Sequence, residues 1–368
     1  MVPEPDLSFG VSMASLDYPQ LLKKYINVLV HEGGSDLHFS TEAHPTIRVA
    51  SVLAPLLKEA VLSPADTLGF AEVLLTPEQK EHFLREHEVD FAYQTAEGLR
   101  FRGNAFFQRG AVGIALRLIP KDIRTTKELN LPDIVESFAR RPQGFFLVVG
   151  PVGQGKSTTL ASLVELINTE RMEHIVTIED PIEYVYTPKQ SLIDQREVGL
   201  DTKGFAPALY SAFRQDVDVI LIGEMRDPAT MSAAVTAAET GHLVFSTLHT
   251  NNAAQTIDRI IDSFPSTQQD QIRLQLASSL VAIFSQRLIP RITGGLIPAY
   301  ELLINNKAIA NLIRERRTHE INTVIETSSG EGMIDMNRCL AELVSRGEIS
   351  VENAYSFSLN PNVLDRLL

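Results

Sequence analysis

The first third of the chain changes its hydrophobic pattern several times, and each change predicts a different element. In residues 17–30 the apolar positions recur every three or four residues, which predicts an amphipathic helix that ends at Gly33-Gly34. Short alternating segments follow, and then a second helical stretch at about 64–87. The apolar stripe of the first helix consists of Leu21, Leu22, Tyr25, Val28 and Leu29.

A β-hairpin is predicted next. Residues 99–107 and 112–119 are typical of strands, and Gln108-Arg109-Gly110 supplies the turn between them. Helices mixed with short strands indicate a small α+β domain at 16–119. Residues 1–15 show no periodic pattern, and we interpret them as a loose tail.

The pattern changes after a polar segment at 120–133, which has Pro120 and Pro132 near its ends and is interpreted as an exposed linker. Continuous apolar runs then alternate with helical stretches, which predicts a mostly parallel sheet covered by helices on both faces. The fold class is therefore α/β, with its core at 134–296 and a mainly helical part at 297–368. The apolar runs are 144–149, 174–178, 217–222 and 243–247.

Composition and charge narrow the possible partners and compartment. Hydrophobic residues make up 44% of the chain and charged residues 21%, the balance of a soluble globular protein. The formal net charge of −13 and sequence pI of about 5.2 argue against nucleic acid as the main partner. One cysteine, Cys339, allows neither an intramolecular disulfide nor a four-cysteine zinc site, and we expect a reducing compartment. Neither a signal peptide nor a run of ~20 apolar residues is evident.

A phosphate-binding loop stands between the first apolar run and a helical stretch. Residues 150–157 satisfy G-x-x-x-x-G-K-[ST], and the glycines let successive N–H groups point at an anion. Lys156 would reach the β- and γ-phosphates of ATP, and the Ser157 hydroxyl would ligate Mg²⁺. The predicted nucleotide contacts are Gly150, Pro151, Val152, Gly153, Gln154, Gly155, Lys156, Ser157 and Thr158.

Acidic residues follow two of the other predicted strands. Glu179 and Glu183 flank Pro181, which stops the strand, and Glu224 comes after the run 217–222 and Gly223. The carboxyl ends of parallel strands form the edge where ligands bind. A carboxylate there can position or deprotonate a water, or hold Mg²⁺ through water, although acids beside Pro are also common turn and cap residues.

Two histidines, His242 and His249, flank the strand at 243–247. Spacing alone leaves open whether either of them is structural or catalytic.

In their order and spacing, these segments resemble the secretion ATPase superfamily, and within it the PilT-like type IV pilus retraction ATPases. The Walker A segment is GPVGQGKST at 150–158, the Asp box TIEDPIEY at 177–184, the Walker B segment ILIGEMRD at 220–227 and the His box AAETGHLVFSTLHT at 237–250. Residues 33–38 and 195–198 are also similar to that family, so the resemblance covers nearly the whole chain after residue 15.

The resemblance implies an N-terminal PAS-like α+β domain, a RecA-like P-loop ATPase domain, and a homo-hexamer that uses ATP and Mg²⁺. Glu224 would be the catalytic glutamate, with Glu179 and Glu183 as the Asp-box acids. His249 would sense the γ-phosphate region with support from His242.

Arginines of the N-terminal domain would also reach the nucleotide. Arg102 and Arg117 match the family pattern, although Arg100 lies on the same strand face as Arg102. Metal contacts would come from Ser157, Glu179 and Glu224.

The resemblance further implies a motor for pilus retraction and twitching motility, because residues 308–315 match the retraction signature A-I-R-N-L-I-R-E with one change, Ala310. Its expected partners are an inner-membrane platform protein and possibly a paralogous motor ATPase, without nucleic acid. The expected location is cytoplasmic, peripherally attached to the inner membrane at the pilus base.

Other functions stay open on the sequence alone. Residues 196–202 and 251–253 favour an accessory PilU-like motor. A secretion or DNA-translocation ATPase of the same superfamily and a non-hydrolysing nucleotide-binding scaffold are the remaining alternatives. Val152 and Gln154 depart from the usual P-loop residues at variable positions, and Gln215 stands where the family commonly has an acid.

Overall fold

The computed structural model of the chain describes residues 16–49, 52–120 and 122–368. The chain forms two compact units, one ending at residue 121 and the other spanning Asp122–Leu368. The predicted tail at 1–15 lies outside the described residues.

In its described residues, the first unit combines three helices with a six-stranded antiparallel sheet. The helices are α1 (Tyr18–His31), α2 (Pro64–Leu74) and α3 (Pro77–Glu86), and the strands are β1 (Asp36–Phe39), β2 (Thr46–Val49), β3 (Val52–Pro55), β4 (Glu88–Gln94), β5 (Arg100–Gln108) and β6 (Ala111–Ile119). The strand order is β3-β2-β1-β6-β5-β4. Helices α1 and α2 cover an aromatic core in which the rings of Phe39 and Phe70 stack with their centroids 4.3 Å apart.

Capping side chains decide where these helices begin. The helical stretch predicted at 64–87 is two helices, because Thr76 and Gln79 form a capping box that starts α3 at Pro77. Pro77 has no N–H to continue the hydrogen bonds of α2, so the chain breaks before it.

The predicted hairpin is confirmed. Strands β5 and β6 pair antiparallel from Arg100↔Ile119 to Gln108↔Ala111. Arg109 and Gly110 both have positive φ, 50° and 79°, as a tight two-residue hairpin turn requires.

Residues 122–368 form a seven-stranded sheet with helices on both faces. The strands are β7 (Gly144–Val149), β8 (His174–Glu179), β9 (Leu192–Glu197), β10 (Val219–Ile222), β11 (Leu243–Leu248), β12 (Leu280–Pro290) and β13 (Leu296–Ile304). The helices are α4 (Ile134–Ala139), α5 (Lys156–Glu170), α6 (Phe205–Ala212), α7 (Pro228–Glu239), α8 (Ala253–Asp262), α9 (Ser266–Ser279), α10 (Lys307–Arg314), α11 (Ile321–Thr327), α12 (Met336–Ser345), α13 (Val351–Phe357) and α14 (Pro361–Leu364).

This sheet has the order β13-β12-β7-β11-β10-β8-β9, and its strands are parallel except for the antiparallel pair of β12 and β13. Alternate residues of β7 enter different cores: Phe145 lies in one and Phe146 in the other. The predicted parallel sheet with two covered faces is therefore confirmed, and its buried strands explain the continuous apolar runs.

The mainly helical part does not begin at residue 297. Residues 296–304 are the strand β13, which pairs with β12 from Ala282↔Ile304 to Pro290↔Leu296. Most of this strand is buried, yet Pro298 and Glu301 interrupt its apolar residues, so it shows neither a two-residue alternation nor a continuous apolar run. The helical part begins with α10, at Lys307.

The predicted linker at 120–133 is only partly exposed. Leu131 is buried in the core of the second unit, and the buried Thr126 donates a hydrogen bond to Glu136 Oε1 at 2.6 Å. The prediction that this whole segment is exposed is wrong, because its apolar residues pack on α4 and its polar residues bond there.

In the described part of the chain, every helix is too short or too polar to span a bilayer.

Candidate functional site

The P-loop connects the end of β7 to the start of α5. Gly150, Gly153 and Gly155 adopt positive φ values of 147°, 77° and 77°, so the backbone conformation at these three positions depends on glycine. A Cβ at position 150 would also lie 2.4 Å from the carbonyl oxygen of Gln286. The loop is therefore shaped both by its own glycines and by the strand β12 beside it.

Gln286 of β12 holds the P-loop and the start of α5 by hydrogen bonds. Its side chain is 2% exposed, donates to Gln154 O at 2.7 Å and accepts from Thr159 Oγ1 at 2.7 Å. In return, Gln154 Oε1 accepts the N–H of Leu288 at 2.7 Å. The sequence reasoning missed Gln286, although a polar Ser-Gln-Arg triplet inside an apolar strand was a usable signal.

Lys156 is buried at the base of the loop. Its ammonium group donates to Gly150 O at 2.9 Å and Pro151 O at 2.8 Å, and lies 3.2 Å from His249 Nδ1. Burial lowers the pKa of Lys156 to about 8, although the charges of Glu224 and Glu183 partly oppose that shift. A buried lysine with a depressed pKa is stabilised by any anion that binds beside it.

His249 joins Lys156 to Glu224. Because an ammonium group only donates hydrogen bonds, Nδ1 of His249 accepts and the ring proton lies on Nε2. Nε2 lies 3.4 Å from Glu224 Oε1. Cation, imidazole and carboxylate thus form one connected row at the carboxyl ends of β7, β11 and β10.

Arg226 holds the other oxygen of Glu224. Its Nε and one terminal nitrogen each lie 3.0 Å from Glu224 Oε2, and another terminal nitrogen lies 3.8 Å from Asp180 Oδ2. This ion pair raises the pKa of Arg226. The guanidinium group therefore fixes the carboxylate orientation, a role that the sequence reasoning missed.

The strand β11 supports the loop that carries Glu224. Ser246 Oγ donates to Ile222 O at 2.9 Å, and Thr247 Oγ1 donates to Gly223 O at 2.6 Å. These hydroxyl groups replace the backbone partners that β10 loses where it ends.

The two Asp-box acids lie in different environments. Glu179 is 7% exposed; its Oε1 accepts from Thr177 Oγ1 at 2.7 Å and from Gln195 Nε2 at 3.3 Å. Burial raises its pKa to about 7. Glu183 is exposed, and its negative charge raises the pKa of Lys156, against the effect of burial.

The first turn of α5 presents two hydroxyl groups. Ser157 is exposed, and Thr158 Oγ1 lies 2.8 Å from the hydroxyl of Tyr184, the last residue of the Asp box. Val152 at the tip of the loop is 80% exposed. In residues 16–49, 52–120 and 122–368, no group of three or more His, Cys, Asp or Glu side chains is placed to hold a metal ion by itself.

His242 does not join this site within the chain. It precedes β11, whereas His249 follows it, and six residues of strand separate the two edges by roughly 20 Å. Its Nδ1 lies 3.0 Å from Ala237 O, and its ring lies against Phe213. Within its own chain His242 therefore lies at the edge of the sheet opposite the P-loop, because the two ends of a strand reach opposite edges. Its contact with a nucleotide stays a prediction.

The two predicted arginines lie side by side in the first unit. Arg102 of β5 pairs across the sheet with Arg117 of β6, and both are exposed. Nε of Arg117 donates to the buried Asp36 at 2.8 Å. Their contact with a nucleotide stays a prediction.

A strand, a glycine loop and a helix in this order define the P-loop class of α/β folds. The family model described as type II/IV secretion system protein matches residues 17–323, and the chain belongs to that family. The predicted resemblance to secretion ATPases is thus confirmed.

Within this family, the chain is similar to two pilus ATPases and to one solved structure over most of its length. The chain is 43% identical over 323 residues to the type IV pilus retraction ATPase PilT of Pseudomonas aeruginosa, covering 88% of this chain and 94% of that protein. It is 40% identical over 344 residues to the type IV pilus ATPase PilU of the same organism, covering 93% and 90%. A crystal structure of the pilus retraction motor PilT with bound ADP aligns with a TM-score of 0.88 at 45% identity, covering 93% of this chain and 98% of that one.

Proposed function

We propose that the chain is an ATP hydrolase whose second unit binds the nucleotide at the P-loop. The observation that carries this proposal is the connected row Lys156, His249 and Glu224 beside a glycine loop. The loop N–H groups and the start of α5 favour phosphate, and Lys156 regains its full charge beside a polyanion. The similar crystal structure of PilT with bound ADP supports nucleotide binding by this chain.

Each acid of the site has a distinct role in this proposal. Glu224 orients or deprotonates the attacking water, since its carboxylate is paired with Arg226 and faces Lys156 through His249. His249 responds to the γ-phosphate because it contacts the phosphate-binding lysine. Glu183, exposed near Lys156, is the second acid of the site.

Mg²⁺ would be held by Ser157 together with nucleotide phosphates and water. Mg²⁺ binds through few protein oxygens and keeps several waters, which suits one exposed hydroxyl at the start of α5. Glu224 would act on it through water. Glu179 suits direct ligation poorly, because its oxygens accept protein hydrogen bonds and its pKa is raised to about 7.

In this proposal the first unit is a PAS-like domain, the second is RecA-like, and the active form is a homo-hexamer. Arg102 and Arg117 then complete the nucleotide site of a neighbouring subunit. Arginine suits that role because its planar, permanently charged fork grips phosphate oxygens. Turnover per subunit should consequently fall on dilution, as rings dissociate.

The mechanical output is retraction of a type IV pilus, from a location at the inner face of the inner membrane where a platform protein receives the force. The 43% identity to PilT over most of both chains supports this function. The signature segment 308–315 lies on α10 and the residue after it, with Ile309, Leu312 and Ile313 buried and the polar residues outward.

An accessory, PilU-like role is the second candidate. The 40% identity to PilU spans 93% of the chain, and Asn251 of the PilU-like segment accepts a hydrogen bond from Arg287. In that role the chain works beside a paralogous motor.

ATP turnover by the purified protein tests the chemistry. Lys156→Ala should abolish nucleotide binding, because it removes the cation that meets the phosphates. Lys307→Ala, an exposed lysine on α10, is the matched control and should bind ATP like the wild type. Equal turnover by wild type and Lys156→Ala would contradict the proposal.

Deletion of the gene in its host tests the biology. Cells with excess surface pili and no twitching motility indicate the main retraction motor. A partial defect that a paralogous motor compensates indicates the accessory role, and unchanged pili contradict both.

A further inference from the structure

The strand β12 touches the P-loop at one residue and the loop after β11 at the next. Gln286 contributes its carbonyl oxygen to the packing of Gly150 and its side chain to Gln154 and Thr159. Arg287 follows it and points toward the segment 249–252, called here the sensor loop because it begins with His249. Two functional loops therefore share one strand.

The guanidinium group of Arg287 makes its hydrogen bonds to carbonyl oxygens. One terminal nitrogen donates to Gln286 O at 3.1 Å, and the other to Asn251 O at 3.3 Å and Asn251 Oδ1 at 3.0 Å. Arg287 is only 7% exposed, and its attraction to Glu301 only partly offsets the cost of burying its charge. A buried cation that donates its hydrogen bonds to carbonyl oxygens indicates that the two terminal nitrogens of Arg287 serve to connect Gln286 with Asn251.

The same guanidinium group also lies against the P-loop. A Cβ built on Gly150 would be 3.3 Å from its Nη1, and its charge contributes to lowering the pKa of Lys156. Arg287 thus contacts the start of the P-loop on one side and the sensor loop on the other.

The sensor loop is also bonded to α8 and to the residues where α8 begins. The N–H of Ala253, the first residue of α8, donates to Glu301 Oε1 of β13 at 2.8 Å. Asn252 caps α8 by accepting from Gln255 N at 2.8 Å. Thr250 Oγ1 also lies 2.7 Å from Thr256 Oγ1, and the Asn251 N–H donates to Gln255 Oε1 at 3.3 Å. These contacts bond the loop to α8, and the bonds from Arg287 add a link to β12, the strand that also contacts the P-loop.

We infer that Arg287, through its fork to Asn251, is a positioning residue that couples the sensor loop to the P-loop and so sets His249 between Lys156 and Glu224. This inference rests on the proposed ATPase function. Arg287 touches no substrate in this scheme; it places His249, which contacts the phosphate-binding Lys156.

Five variants and one control test the coupling by ATPase kinetics. Asn251→Ala, Arg287→Gln and Arg287→Lys should each lower kcat by about tenfold, the usual effect of losing a charge-assisted hydrogen bond, while the Kd for ADP stays unchanged. Combining Arg287→Gln with Asn251→Ala should lower kcat no further than either change alone, since both remove one link. Asn251→Asp keeps the accepting Oδ1 and should retain kcat. Arg291→Gln is the matched control, because Arg291 pairs with Glu348 at 2.6 Å beyond the end of the same strand.

Hydrogen exchange of the 249–252 amides gives a second readout that needs no turnover. Exchange there should rise in Asn251→Ala and in Arg287→Gln, but not in Arg291→Gln. Wild-type exchange in Asn251→Ala overturns the coupling, as does a multiplicative loss of kcat in the double variant. A wild-type protein that does not hydrolyse ATP contradicts the proposed function instead, and the exchange measurement still decides the coupling.

Discussion

The strand β11 has a histidine just beyond each end, and the two histidines do different things. His249 lies at the carboxyl edge of the sheet, where three loops converge and its ring lies between Lys156 and Glu224. His242 lies at the amino edge, against the end of α7, and bonds a backbone carbonyl. The residue type is the same, so the difference comes from the edge of the sheet on which each one lies.

The contrast extends to the groups around the two edges. At the carboxyl edge, Lys156, Glu179 and Arg287 are buried polar groups, each satisfied by named partners. Burial shifts the pKa of Lys156 and of Glu179 toward neutrality, which is typical of sites that exchange protons or bind charge. We therefore expect substitutions at the carboxyl edge to change turnover more than substitutions at the amino edge.

Replacing the carboxylate at the functional edge should have the largest effect on turnover. Glu224→Gln should lower kcat by about 10²–10⁴, because the amide neither accepts a proton nor orients water as the carboxylate does. Binding of ADP should persist, since Lys156 and the loop are unchanged. Glu326→Gln on the exposed face of α11 is the control. A near-wild-type kcat in Glu224→Gln would contradict the catalytic role proposed for Glu224.

A buried acid on the same edge should make stability depend on pH. Burial raises the pKa of Glu301 from its ordinary 4.5 to about 7, and Asp335 adds to the shift while Arg287 opposes it. The folded state then holds the proton more tightly than the unfolded state. Its stabilising contribution is therefore fully present below about pH 4.5 and is lost as the pH rises through 7.

Glu301→Gln removes that dependence while keeping an acceptor for the Ala253 N–H. Relative to wild type, the variant should gain on the order of 3 kcal/mol between pH 5 and pH 8. Denaturant unfolding at both pH values measures it. The stability of the variant should still fall somewhat as the pH rises, because Glu179 has a raised pKa as well. An unchanged difference between the two pH values would show that Glu301 stays ionised when folded.

The histidine at the functional edge should have a smaller kinetic effect than Glu224. His249→Gln loses the contacts to Lys156 and Glu224 that only a two-nitrogen ring makes together, so kcat should fall about tenfold. Single-turnover kinetics with ATP measure it. His319→Gln, an exposed histidine with 75% of its side chain in solvent, is the control. A tenfold loss in both variants would mean that the effect is not local.

Much of this fold could be predicted from the sequence, for physical reasons that differ between elements. The P-loop and the parallel strands were identifiable, because a buried strand, a glycine loop and a helix leave a distinct composition. The strand β13 was not, since Pro298 and Glu301 break its apolar run and burial of both its faces removes the alternation.

The site shows the same limits. Glu224, Lys156 and His249 follow strands, so the sequence places them at one edge as soon as the strands are known to be parallel. His242 was grouped with them because spacing along the chain does not say which end of a strand faces the ligand. Gln286 and Arg226 were missed, because their roles depend on neighbours that are far away in sequence or on a loop shape that spacing does not fix.

The smallest expected effect comes from the amino edge. His242→Gln loses the contact of Nδ1 with Ala237 O and the packing of its ring on Phe213, which together should cost about 1 kcal/mol of stability. Nucleotide affinity should stay within about twofold of wild type, because changes far from a site and without shared partners act independently. Parallel titrations of His242→Gln and His249→Gln with a fluorescent ATP analogue make the comparison direct. If His242→Gln weakened binding as much as His249→Gln while both variants stayed folded, the amino edge would have to reach a nucleotide held by another subunit. The difference between the two ends of β11 would then hold for one chain and fail for the proposed hexamer.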